Sequence, residues 1–124
     1  MSKIINFQVE YKYINISYIE SVTGADKEIV SELVDLFRVQ VDEISREMKS
    51  LLEKKDYYSV GLLAHKAKSS VAIMGMSEMA ALLKTFELEA KESVNSEKYA
   101  SYITSFETDT KKALVELDSY LKEL

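Results

Sequence analysis

Cysteine and proline are absent from the 124-residue sequence, glycine occurs three times, and there is one histidine. Without cysteine there is no disulfide framework and no thiolate metal site. A single histidine leaves no second imidazole to share a metal. Without proline, and with so little glycine, long helices meet few intrinsic breakers, and no Gly-rich phosphate loop is present. No apolar run reaches the length needed to cross a bilayer. The start, Met1-Ser2-Lys3-Ile4-Ile5-Asn6, lacks the apolar segment and cleavage site of a secretory signal, so a cytoplasmic location is expected. Basic residues are the minority, 16 against 21 acidic, for a net charge of −5. That balance argues against a nucleic-acid binder, which presents a basic face. The length suits one domain with one core.

The residues present are patterned for helices. Phe7–Tyr13 alternates loosely, as a strand would, but has nothing to pair with, so residues 1–13 are expected to be an extended lead-in, followed by one domain over 14–124. Asn15 or Ser17 can cap a short helix running to about Val22, which Gly24 ends. Asp26 can cap a second helix, with Glu28 in its first turn. Ile29, Leu33, Leu36, Phe37, Ile44, Met48 and Leu51 recur along it at helical spacing, with Gln40 inside the stripe. That helix should fade at Glu53-Lys54-Lys55. Asp56 can cap a third helix stopping near Gly75, and Ser77 a fourth whose apolar face is Met79, Leu82, Leu83, Phe86 and Ala90. Ser93-Val94-Asn95-Ser96 breaks the pattern. A last helix from about Ser96 to Leu121 carries Tyr99, Tyr102, Ile103, Phe106, Ala113, Leu114, Leu117, Tyr120 and Leu121. Four long amphipathic helices with short connections predict an all-α fold, an antiparallel up-down four-helix bundle with a short extra N-terminal helix.

The third helix contains Ala64-His65-Lys66-Ala67-Lys68-Ser69-Ser70-Val71-Ala72-Ile73-Met74-Gly75. At about 100° per residue, Gly61, Lys68, Ser69 and Ala72 fall on the same side as His65. Val60, Leu63, Ala67, Ser70, Val71 and Met74 form the opposite, mostly apolar side. The helix therefore turns one face to a core and offers an imidazole to water, with Lys68 one turn away. Neutral imidazole is a good nitrogen nucleophile near neutral pH. A phosphoryl group taken up there is an anion, and Lys68 can neutralise part of its charge. Gly61, Ser69 and Ala72 are expected to keep the approach open.

The run His65, Lys68, Ser69, Ser70 and then Gly75 resembles the signature of histidine-containing phosphotransfer (HPt) domains. Ser69 stands where that family more often has glycine. The likeness extends back over Ile14–Ile19 and Gly24–Glu28, and forward over Leu82-Leu83-Lys84-Thr85-Phe86-Glu87, so it covers most of the chain. It implies a phosphorelay intermediate that accepts a phosphoryl group on His65 from a receiver-domain aspartate and passes it to another receiver. It also implies that the chain is a phosphocarrier and not a stand-alone kinase. The partners would be response-regulator receivers, including those of hybrid histidine kinases, and no cofactor is expected beyond Mg²⁺ on the receiver. A kinase reading is disfavoured because the Gly-rich and Asn-containing motifs of an ATP-binding domain are missing. A serine nucleophile at Ser69 or Ser70 lacks an acid–base pair and an oxyanion elbow. The competing reading is a helical-bundle module that docks receivers without taking up the phosphoryl group.

Counting from the turn near Lys55 places residues around Ser45 level with His65. Val41, Ile44, Ser45 and Met48 are therefore expected as a partner-facing rim on the second helix. Counting from Gly75 places Lys84, Thr85 and Leu88 on the other side, with Leu88 off its apolar stripe and exposed. A monomer is expected.

Overall fold

The computed structural model describes residues 11–124, and residues 1–10 of the expected lead-in lie outside them. Five α-helices follow in order: α1 (Ile16–Thr23), α2 (Lys27–Glu53), α3 (Tyr57–Ile73), α4 (Ser77–Lys91) and α5 (Tyr99–Glu123). A 3₁₀ turn, Ser96–Lys98, precedes α5. The caps explain most of the boundaries. The side chains of Asn15, Asp26 and Asp56 accept from the backbone N–H groups of Tyr18, Ile29 and Ser59, which would otherwise be unpaired. Gly24 ends α1 in the left-handed region at φ 69°. The expected cap at Ser77 is corrected. Ser77 is the first residue of α4, and the position before it is Met76, which makes no side-chain capping bond. Met76 instead buries its side chain in the core and donates its N–H to the Val71 carbonyl.

The long helices pack in a closed cycle, α2 on α3, α3 on α4, α4 on α5 and α5 on α2. Side-chain pairs join the neighbouring helices, and those at two levels show α2 and α5 running antiparallel. Ser70 donates to Gln40 across the α2–α3 pair at 2.9 Å. Arg38 pairs with Asp118, and Lys49 with Glu107, across α2–α5. Phe86 meets both Tyr99 and Tyr102 across α4–α5. An all-helical bundle with a short first helix is the observed architecture. Helix α1 covers the end of the bundle near the α3–α4 turn, where Asn15 N–H donates to the Met74 carbonyl at 3.1 Å. The chain ahead of α1 is pinned to α5, because the backbone N–H groups of Lys12, Tyr13 and Ile14 all donate to the Glu116 carboxylate.

The buried face of α2 differs from the expected stripe. Val30, Val34, Phe37, Val41, Ile44 and Met48 are buried, while Ile29 and Leu36 are 46 % and 52 % exposed. The buried row alternates steps of four and three residues, the pattern that keeps a seam facing its neighbours along a bundle. Ile29 and Leu36 each sit one residue, about 100°, before a member of that row. Gln40 stays close to the core because Ser70 donates to it.

Truncation should reveal this difference. Ile44→Ala should destabilise the bundle by about 2–5 kcal/mol through lost burial and a residual cavity. Leu36→Ala should change the denaturant midpoint by less than about 1 kcal/mol equivalent. Equal losses for the two variants would contradict the burial assignment.

Candidate functional site

His65 lies on α3 with its side chain 58 % exposed, and the antiparallel α4 runs beside it. Two glycines set that pairing. Gly75, in the connecting turn, has φ +72°, and an added Cβ would fall 2.4 Å from the Asn15 Cβ, so the turn and the start of α1 both require it. Gly61 is buried in the α3–α4 contact. A Cβ there would meet Lys91 Cγ at 2.9 Å, the Glu87 carbonyl at 3.1 Å and the Lys91 backbone nitrogen at 3.2 Å. The expected role of Gly61 is therefore corrected. It does not keep a partner's path open, but lets α4 come close to α3.

That close approach brings Glu87 under the imidazole. Glu87 is the only charged residue buried among the described residues. Its Oε2 lies 3.1 Å from His65 Nδ1 and accepts from Lys91 Nζ at 2.8 Å. Its Oε1 is buried without a hydrogen-bond partner, and Lys68 Nζ stands 3.6 Å from it, within ion-pair range but beyond a hydrogen bond. The Lys91 hydrogen bond, followed by that from His65, outweighs the burial penalty and holds the Glu87 carboxyl down at about 2. The same bond raises the Lys91 ammonium above its ordinary value. Glu87 is thus a carboxylate at neutral pH and can only accept. His65 Nδ1 must then be the donor. The neutral ring carries its proton on Nδ1 and its lone pair on Nε2, the nitrogen left for chemistry.

The other expected site residues divide into two groups. Ser69 and Ala72 are exposed on the His65 face, as their spacing predicts. Leu88 is 52 % exposed on α4. The Lys68 side chain, expected to face solvent, is 26 % exposed and lies along Glu87. Val41, Ile44 and Ser45 do not form a rim. Val41 and Ile44 are in the core, and Ser45 is buried and donates to Glu107 on α5. Met48, placed in the same rim, is fully buried as well. Level with His65 is not the same as facing outward beside it, and the shifted buried face of α2 turns these residues inward. Exposed instead on α2 is Leu36. The Gln40–Ser70 bond sets the register, so Leu36 is level with the exposed Ile73 on α3.

The spacing on α3 alone names no acceptor for Nδ1 and gives Lys91 no role. A signal was there: Glu87 follows Phe86 on the inner side of α4, with a lysine four residues on, the spacing of a helical ion pair. The charge layout around His65 also stands out. No acidic residue occurs from Tyr57 to Ser77, a span that includes all of α3, although the whole chain carries −5.

The depressed Glu87 carboxyl has a pH signature. A carboxyl held near 2 in the fold, against 4.5 as its ordinary value, adds stability that is complete above about pH 5 and is lost as pH falls toward 2. Wild type should therefore exceed Glu87→Gln by an amount that shrinks, on the order of 3 kcal/mol in all, as pH is lowered through that window. Urea titrations of both proteins at several pH values would measure the gap, and a gap independent of pH would contradict the assignment.

No curated protein and no solved structure matches the chain. The family model of the Hpt domain matches residues 32–124, which takes in most of α2 and all of α3, α4 and α5. The chain belongs to the Hpt domain family, phosphocarrier modules of histidine phosphotransfer in two-component signalling.

Proposed function

We propose that His65 is the phosphoacceptor. It takes a phosphoryl group from the aspartyl phosphate of one response-regulator receiver and delivers it to the aspartate of another, free-standing or part of a hybrid kinase. The observation that carries this reading is the Glu87–His65 bond, which directs the Nε2 lone pair outward on an exposed ring. In the transfer Nε2 attacks phosphorus in line, the P–O bond of the acyl phosphate breaks, and the aspartate leaves as its carboxylate. The Nδ1 proton stays where it is, so the product ring is an N-phosphoimidazolium cation whose positive charge faces the Glu87 carboxylate. Lys68 is the nearby cation for the phosphoryl oxygens. The reverse sequence returns the group to an aspartate. Mg²⁺ belongs to the receiver's acidic pocket and supplies charge neutralisation there.

Docking is proposed on the face of α3 that carries His65. Ser69 and Ala72 leave the ring open. Exposed apolar side chains lie on the three neighbouring helices, Leu36 on α2, Leu62 and Ile73 on α3, and Leu88 on α4. The acid-free span of α3 favours the approach of an anionic phosphoryl group and an acidic pocket.

Two measurements test the reading. Incubation with a phosphorylated receiver and Mg²⁺ should give acid-labile, base-stable label on this chain, and His65→Gln should abolish it. Receiver binding with no label on the wild type would favour the docking-only module, and label surviving His65→Gln would overturn the site. Leu88→Ala should weaken receiver binding about tenfold while leaving the unfolding midpoint in place. Unchanged affinity would remove Leu88 from the interface.

A further inference from the structure

Glu87 is one carboxylate with two lysines, and the two are not equivalent. Lys91 is bonded to Oε2 at 2.8 Å, while Lys68 stands off Oε1 at 3.6 Å, although that oxygen is buried and has no hydrogen-bond partner. A buried, unpaired carboxylate oxygen is an attractive destination for an ammonium group less than 1 Å beyond bonding range. A Lys68 that closed on it would have its charge satisfied inside the protein and would not meet an anion on His65.

We propose that Lys91 is a positioning residue: by binding the Glu87 carboxylate from its own helix, it keeps Lys68 free for the phosphoryl group on His65. The inference rests on the phosphotransfer reading of His65 and adds to it the reason Lys68 is available. Lys91 is four residues from Glu87 on α4, so both members of their ion pair belong to one helix. Its aliphatic stem crosses α3 at Gly61, the position where a Cβ would strike Lys91 Cγ. The missing side chain at Gly61 is therefore the channel that lets the Lys91 ammonium reach the carboxylate. Lys91 thus neutralises the acid, His65 Nδ1–H shares the same oxygen, and Lys68 remains the loose cation of the site.

The phosphohistidine lifetime reports this division of labour. Phosphoramidate can load His65 without a receiver: its P–N bond breaks, ammonia leaves, and a new P–N bond forms at Nε2. Lys91→Met should shorten the lifetime about fivefold, toward that of Lys68→Ala, and Lys91→Arg should stay within about twofold of wild type. Adding Glu87→Gln to Lys91→Met should restore most of the lifetime, because the amide still accepts from Nδ1–H but no longer draws Lys68 in. A role for Lys91 in packing, or in touching the phosphoryl group directly, predicts no such rescue. In unphosphorylated Lys91→Met, a crystal structure should show Lys68 Nζ closed to within hydrogen-bond distance of Glu87. An unchanged lifetime in Lys91→Met, equal lifetimes in wild type and Lys68→Ala, a double variant no better than Lys91→Met, or a Lys68 that stays apart from Glu87 would each overturn the proposal. Failure of the phosphotransfer reading looks different. Wild type then takes up no label at His65, and the Lys68 position in Lys91→Met still decides the inference.

Discussion

A carboxylate buried between two helices is the constraint around which this bundle is arranged. Taking an ionised carboxyl out of water carries a penalty of several kcal/mol unless partners replace the lost hydration. Glu87 meets that requirement with Lys91 from its own helix and His65 from the neighbouring one, while Lys68 stands off at 3.6 Å. Those contacts need α3 and α4 to lie closer than side chains usually permit, and Gly61 at their contact provides the room. The glycine, the buried acid and the two lysines thus form one dependent set, and the orientation of the imidazole follows from it.

The same set separates what the ring needs from what it presents. Its Nδ1 side is held against the buried Glu87 carboxylate, and its Nε2 side is left to the exposed face among small side chains. A phosphorylated ring gains positive charge on the Nδ1 side and negative charge on the outer side, and the protein offers a carboxylate to the first and an ammonium to the second. The surrounding surface follows the same logic. Acidic residues crowd much of the chain but are missing from Tyr57 to Ser77, so an acidic partner meets its least repulsive surface where the chemistry is placed.

Much of this is legible in the sequence. The caps at Asn15, Asp26 and Asp56, the turn at Gly24 and the apolar rows of α4 and α5 follow from local chemistry that the fold did not override. His65, Lys68, Ser69 and Ala72 share a face because they share a helix, and spacing on one helix is reliable. Across helices the reading weakened. Counting from a turn gives the level of a residue but not its azimuth, so Ser45 is level with His65 yet faces Glu107. On α2 the expected stripe holds Ile29 and Leu36, whereas Val30 and Val34 are the buried neighbours. The bundle buried the row with the steadier four-three spacing. Glu87 and Lys91 escaped for a related reason. An i, i+4 acid–base pair on a helix usually belongs to a solvated face, and only the near contact at Gly61 makes this one interior. Gly61 itself looked like open space beside the histidine when it was space for a neighbouring helix.

Glu87 holds the proton of the neutral imidazole on Nδ1 and leaves Nε2 as the nucleophile. Long-range ¹H–¹⁵N correlation of the His65 ring, recorded with the ring neutral, reads this directly. A protonated-type nitrogen at Nδ1 and a lone-pair-type nitrogen at Nε2 are expected, with that preference weakened in Glu87→Ala. A neutral ring carrying its proton mainly on Nε2 in the wild-type protein would contradict it.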